Sequence, residues 1–253
     1  MAYKSEDTPL KPLKWYKSLA GKKERLEAGA FLVEGERAVR QIAGNNPDAI
    51  LEVLSTDEAP SFCGIYPYRH ITGEQLRSIT STTTPQGIIA VVSIPTEIYS
   101  NVLPGNPGSR ILLLEGVQDP GNVGSLIRTA VAFGFSGVIM SQKCADPLSP
   151  KVVQSTAGTI LSLWIRRTND YLSLARSLQN RGHSIVSTSL DGEEDPSYLH
   201  KADKLLLALG NEASGLSRDI LELADYRLKI AIKDKAESLN VAACGAICMY
   251  LSR

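Results

Sequence analysis

The chain has 253 residues, 43% of them hydrophobic, enough for one large or two modest domains that each bury a core. Lys plus Arg and Asp plus Glu number 27 each, so the formal net charge is zero and any basic footprint for nucleic acid has to be local. No apolar run reaches the ~20 residues of a membrane-spanning helix, no leader is expected before the first motifs, and Cys63, Cys144, Cys244 and Cys248 lack zinc-site spacing. A soluble, cytoplasmic protein with reduced thiols and no metal is expected.

Residues 9–25, PLKPLKWYKSLAGKKER, carry six basic residues against one acid, with Trp15 and Tyr16 among the lysines. This reads equally as a solvated helix face with inward aromatics or as a phosphate-contacting arm. FLVEGERAVRQIAG then predicts a strand at Phe31 to Val33 and a helix over residues 35–43 closed by Gly44. AILEVLS is strand-like, and ITGEQLRSI offers Thr72 as an N-cap with Gln75 at capping-box spacing. A β-branched run over residues 88–94 completes a small α/β domain, residues 1–95. Residues 96–110, with Pro104, Gly105, Pro107 and Gly108, predict a linker.

Beyond it, the strand-like runs ILLLE, GVIM, SLWIRR, SIVSTS, LLLALG and YRLKIAI alternate with helical stretches at about residues 123–133, 150–157, 171–180, 217–223 and 239–250. Near-continuous apolar strands alternating with helices predict a mainly parallel sheet covered on both faces, over residues 111–253. Neither the G-x-G-x-x-G of a dinucleotide fold nor a P-loop is present; Gly121 and Gly124 give G-x-x-G alone. An oxidoreductase reading is weakened accordingly.

Three polar loops follow strands: DPGNVGS around Asn122, LALGNEASGLS with Glu212, and AESLNVAA with Ser238 and Asn240. In an open parallel sheet, loops at the carboxyl ends of strands converge on one edge, so Asn122, Arg128, Glu212, Ser238 and Asn240 could share a cleft. The bland alternative has Asn122, Ser238 and Asn240 capping helices and Glu212 facing water. His70, His183 and His200 lie outside these loops and are assigned no ligand role.

NVGSLIRTA, GNEASGLS and SLNVAA resemble, in order and approximate spacing, the three motifs of the SpoU or TrmH branch of the SPOUT RNA methyltransferases. FLVEGERAV and PQGIIAVV are similar to that branch's ribosomal-protein-like substrate-binding domain. The resemblance implies a trefoil knot in the C-terminal domain, a homodimer, an S-adenosylmethionine site, and methyl transfer to an RNA ribose 2′-hydroxyl. It favours rRNA, 23S first, over tRNA.

By the same resemblance Arg128 is the principal catalytic residue, with Asn122, Glu212, Ser238 and Asn240 positioning substrate and loops. Thr188, Leu209, Gly210, Ile230 and Leu239 map to the cofactor site. A guanidinium is a permanent cation in proteins, which favours phosphate binding or alkoxide stabilisation by Arg128 over general-base work. Family members commonly carry Ile-Pro-Met before the Ser-Leu-Asn motif, whereas this chain reads IAIKDKAESLN, with Lys233 and Lys235. The resemblance also raises the basic segment as an RNA contact, its lysines on phosphates and its aromatics stacked on bases. A second reading is a non-catalytic RNA-binding or ribosome-assembly module of the same fold.

Overall fold

The computed structural model describes residues 11–58, 60–80, 82, 85–233 and 238–253. Two compact units are present, one of Met1–Pro95 with Asp146–Ser162, the other of Thr96–Ala145 with Leu163–Arg253. Residues 146–162, expected in the C-terminal domain, thus cluster with the first unit.

The first unit runs α1 (Leu13–Ser18), α2 (Lys22–Ala28), β1 (Ala30–Glu34), α3 (Glu36–Asn45), β2 (Ile50–Ser55), β3 (Tyr68–His70), α4 (Gly73–Ile79) and β4 (Ile88–Ser93). Its sheet has the order β1-β4-β2-β3, with β4 antiparallel to both β1 and β2. Both capping-box bonds form at Thr72 and Gln75. Tyr16 is fully buried with Leu19, Leu54 and Ile89, and its hydroxyl donates to the Glu52 carboxylate at 2.9 Å. Arg25 is buried too, donating to Leu19 O and Ala20 O and pairing with Asp146 at 2.5 Å. Tyr16 and Arg25 are therefore built into the core, and Tyr16 is not free to stack on a base. Lys14, Lys17, Lys22 and Lys23 are its exposed cations; Lys11 is partly buried, and Pro9 and Leu10 lie outside the described residues.

The second unit holds β5 (Arg110–Leu114), α5 (Pro120–Ala132), β6 (Gly137–Ser141), β7 (Trp164–Thr168), α7 (Tyr171–Asn180), β8 (Ser184–Glu193), α8 (Ser197–Lys201), β9 (Leu205–Leu209), α9 (Arg218–Leu223), β10 (Tyr226–Leu228) and α10 (Val241–Leu251). The intervening α6 (Pro150–Thr156) belongs to the first unit, against β1. Six strands pair in the order β10-β8-β9-β5-β6-β7, all parallel, with Leu112 of β5 opposite Val138 and Leu207. Alternate residues of a strand face opposite sides. Ile111 and Leu113 pack with Leu174 and Leu178 of α7 and Ile220 of α9. On the other face α10 packs on α5 and β9, where a Cβ on Gly245 would lie 2.4 Å from Leu126 and 2.7 Å from Leu209.

Residues 96–110, expected as a linker, run along the edge strand β7 and accept from one of its backbone amides and two of its side chains. Ile98 O accepts from Arg167 N at 2.8 Å, Val102 O from Arg166 Nε at 2.6 Å, and Pro107 O from the Trp164 indole at 2.9 Å. The strand predicted from YRLKIAI stops at Leu228; Ile230 and Ile232 leave the sheet and line a cavity.

Candidate active site

The three polar loops meet at the carboxyl end of the parallel sheet. Asp119 caps α5 by accepting from Asn122 N at 2.9 Å, and Pro120 occupies the first turn, where a missing N–H costs nothing. The cap leaves the Asn122 side chain free to act between loops. Its Nδ2 donates to Glu212 Oε1 at 2.7 Å, and its Oδ1 accepts from Asn240 Nδ2 at 3.1 Å. Asn240 in turn caps α10, accepting from Ala242 N at 2.9 Å and Ala243 N at 3.4 Å. Capping and site-building are thus not alternatives: one amide oxygen caps while the same side chain's nitrogen links two motifs.

The loop carrying Glu212 is shaped by its neighbour Asn211. Asn211 Oδ1 accepts from Ala213 N and Ser214 N, both at 3.0 Å, and its Nδ2 donates to Gly116 O at 2.8 Å. A Cβ on Gly210 would lie 2.3 Å from the Gly215 carbonyl carbon, so only glycine lets the loop fold back this tightly. Glu115, at the end of β5, anchors the far side of the loop by accepting from Ser217 N at 2.6 Å and from the Tyr171 hydroxyl at 2.5 Å.

Between the loops lies a cavity of about 380 Å³, within the range of drug-sized ligand sites. Thr188, Gly210, Ile230 and Leu239 line it, as do Glu212 and Ser238. Leu209 sits one residue behind, buried in β9, with its carbonyl accepting from Glu115 N at 2.9 Å. Leu228, Ile232 and Val241 add an apolar wall, while Asp191 and Lys229 bring charge that sequence reading did not flag. Cys244 also faces in; its thiol lies below its ordinary range, chiefly through the hydrogen bond with Cys248, whose own thiol is pushed up by that bond and by burial.

Arg128 lies six residues after Asn122, about 120° around α5, exposed, with no hydrogen bond or ion pair to any described residue. Glu212, which could have held it, is bonded to Asn122 instead. Ser238 and Lys233 are exposed beside the cavity loop, and Lys235 lies outside the described residues. His183 is buried between Leu178 O and Gly108 O, and His70 and His200 are exposed. Among the described residues no group of His, Cys, Asp and Glu could hold a metal ion, and no helix is long and apolar enough to cross a membrane. Asn211, Glu115 and Tyr171 carried only one advance signal, their position just past strand ends.

Residues 109–250 match the model of the SpoU rRNA Methylase family. The chain belongs to that family. Residues 11–90 of this SpoU protein match the MRM3-like substrate binding domain. It is 34% identical over 242 residues, 94% of each chain, to the 23S rRNA (guanosine(2553)-2′-O)-methyltransferase RlmP of Bacillus subtilis. It is 27% identical to the 23S rRNA (guanosine-2′-O-)-methyltransferase RlmB of Vibrio vulnificus, covering 86% of this chain and 94% of that one. Among solved structures, the SpoU methyltransferase AviRb of Streptomyces viridochromogenes, in complex with AdoMet, superposes with a TM-score of 0.81 at 26% identity, covering 95% of this chain and 96% of that one.

Proposed function

We infer that this SpoU-family protein is an S-adenosylmethionine-dependent RNA ribose 2′-O-methyltransferase acting on rRNA, with the 23S molecule as first choice. The observation that carries the reading is the hydrogen-bonded chain from Asn240 through Asn122 to Glu212, which joins all three motifs at the wall of one ligand-sized cavity. The likeness to RlmP over nearly the whole of both chains supports the reaction and the substrate class.

The cavity fits the cofactor. Gly210 leaves a wall of bare backbone for close approach, Thr188 offers a hydroxyl, and Ile230 and Leu239 give apolar contacts for an adenine. Asp191 is placed to accept from hydroxyl or ammonium groups. When bound, S-adenosylmethionine supplies an electrophilic sulfonium methyl. The chain's own work is to hold a ribose oxygen in line with it and to stabilise the charge that develops there. Arg128, an exposed cation without a protein partner among the described residues, is suited to a substrate phosphate or to the developing alkoxide. Asn122, Glu212 and Asn240 fix the loops, and Ser238 offers a hydroxyl at the cavity wall.

The N-terminal unit engages the RNA, with Lys14, Lys17, Lys22 and Lys23 as phosphate contacts. A homodimer is supported by α10: its sequence VAACGAICMYL is apolar all round, and Ile247 and Tyr250 remain exposed. A knot is supported by the chain path, which leaves the edge strand β10 and returns to pack α10 on α5 near the sheet centre. The protein works in the cytoplasm, with ribosomal RNA.

The test is incubation of total rRNA and tRNA with methyl-labelled cofactor, followed by mapping of the modified ribose. Label is expected in rRNA. Arg128→Ala and Arg128→Lys should each lose about a hundredfold or more in kcat/KM with cofactor affinity unchanged, the scale of a lost transition-state donor. Label in neither pool, with intact RNA binding, would leave the non-catalytic module as the better reading.

A further inference from the structure

We propose that a second cavity, sharing a wall with the cofactor cavity, holds a nucleotide of the RNA next to the target ribose, with Lys143 on its phosphate and Asn169 on its base edge. The proposal rests on the RNA-methyltransferase reading above. The cavity measures about 220 Å³ and opens at the carboxyl ends of β5, β6 and β7, the edge of a parallel sheet where ligands bind. Asn211, Ser214, Gly215 and Leu216 line both cavities, so an occupant of the second lies one loop away from the cofactor.

Most polar groups of this cavity are committed to one another. Glu115 accepts from Tyr171 and from Ser217 N. Gln142 accepts from Arg167 Nη1 at 2.8 Å and donates to Arg167 O at 3.2 Å, and the Ser141 hydroxyl accepts from Gly116 N at 3.0 Å. These bonds make a rigid polar shell. Two lining side chains stand outside it: Lys143 and Asn169 are exposed and bonded to no described residue. An ammonium beside a neutral amide is a pair that suits a phosphodiester and a base edge together. Gly215 has φ +65° and open space where a Cβ would stand, so the shared wall is bare backbone on that side.

The test uses the full chain and an rRNA fragment, with anisotropy measured against salt and methyl transfer against RNA concentration. Lys143→Ala should weaken RNA binding several-fold and lower the slope of log K against log salt by about one, the loss of a single phosphate contact. Lys143→Gln should repeat this, and both substitutions are at an exposed position that folding does not need. Asn169→Ala should raise KM for RNA about tenfold, more than it changes kcat, with cofactor affinity unmoved. Unchanged affinity, slope and KM in all three variants of a protein whose wild type binds RNA would overturn the proposal. A wild type that binds RNA but transfers no methyl group would sink the enzymatic reading alone, because the salt slope still reports on the cavity. Wild-type failure to bind RNA would remove both.

Discussion

At the scale of single residues, Asn240 serves two masters through two atoms, and substitution can separate them. Its Oδ1 caps α10 and its Nδ2 donates to Asn122. An aspartate keeps the capping acceptor and loses the donor; an alanine loses both. Asn240→Ala should therefore cost about 1 kcal/mol, a fall of about 2–4 °C in Tm for a unit of this size. Asn240→Asp should hold the wild-type Tm at neutral pH. Both should lose at least about tenfold in kcat/KM, since the link to Asn122 and Glu212 is broken in each. Thermal melts and methyl-transfer kinetics check this, and an Asn240→Asp variant with full activity would show that the link is not used. The asparagine and its motif were legible in the sequence; its bonding to Asn122 was not, because the two residues are 118 positions apart and only the sheet topology brings them together.

Among elements, the ends of β5, α7 and α9 are tied by one carboxylate, Glu115, which accepts from the Tyr171 hydroxyl and from Ser217 N. Burial first, then the neighbouring Glu115, push the Tyr171 phenol up to about 12. In the other unit, burial and Glu52 push Tyr16 up to about 12 as well. A group whose folded value is raised adds stability that is complete below its unfolded value, near 10 for tyrosine, and is lost as pH climbs through the folded value. Thermal midpoints should therefore fall between about pH 10 and 12, and fall less steeply in Tyr16→Phe and Tyr171→Phe, which have no phenol to ionise. Parallel wild-type and variant curves across that window would count against the two pairs. Local signals set most elements: the capping box at Thr72 and Gln75 forms as spaced, and the apolar runs at β5, β6 and β9 are strands. YRLKIAI shows where such signals end. An apolar run does not by itself specify strand pairing, and here Ile230 and Ile232 are half-buried at a cavity wall rather than in the sheet. Tyr16 is the converse case, an aromatic among lysines whose destination, the core, charge patterning could not disclose.

For the whole molecule, the alternation of apolar strands and helices was enough to read a parallel sheet with loops converging at one edge. The path of the chain through that sheet was not, since a strand inserted between two others leaves no mark on its own sequence: β9 lies between β5 and β8. Composition does mark one larger feature. α10 has no charged residue along VAACGAICMYL, yet Ile247 is 39% and Tyr250 49% exposed, beside Phe133, whose ring meets Tyr250 edge-on at 5.9 Å. A helix that is apolar all round and, among the described residues, covered on one side only supports the proposed pairing with a second copy. In a twofold interface every contact occurs twice, so one substitution removes two buried side chains. At about 1.5–3 kcal/mol for each, Ile247→Asp should weaken the dimer by about 3–6 kcal/mol, two to four orders of magnitude in Kd, before the two introduced charges are counted. Light scattering after size exclusion should find the wild type at twice the 27.3 kDa chain mass and Ile247→Asp at the chain mass itself. A wild type that runs as a single chain at micromolar concentration, or an Ile247→Asp dimer as tight as the wild type, would place the partner of α10 elsewhere.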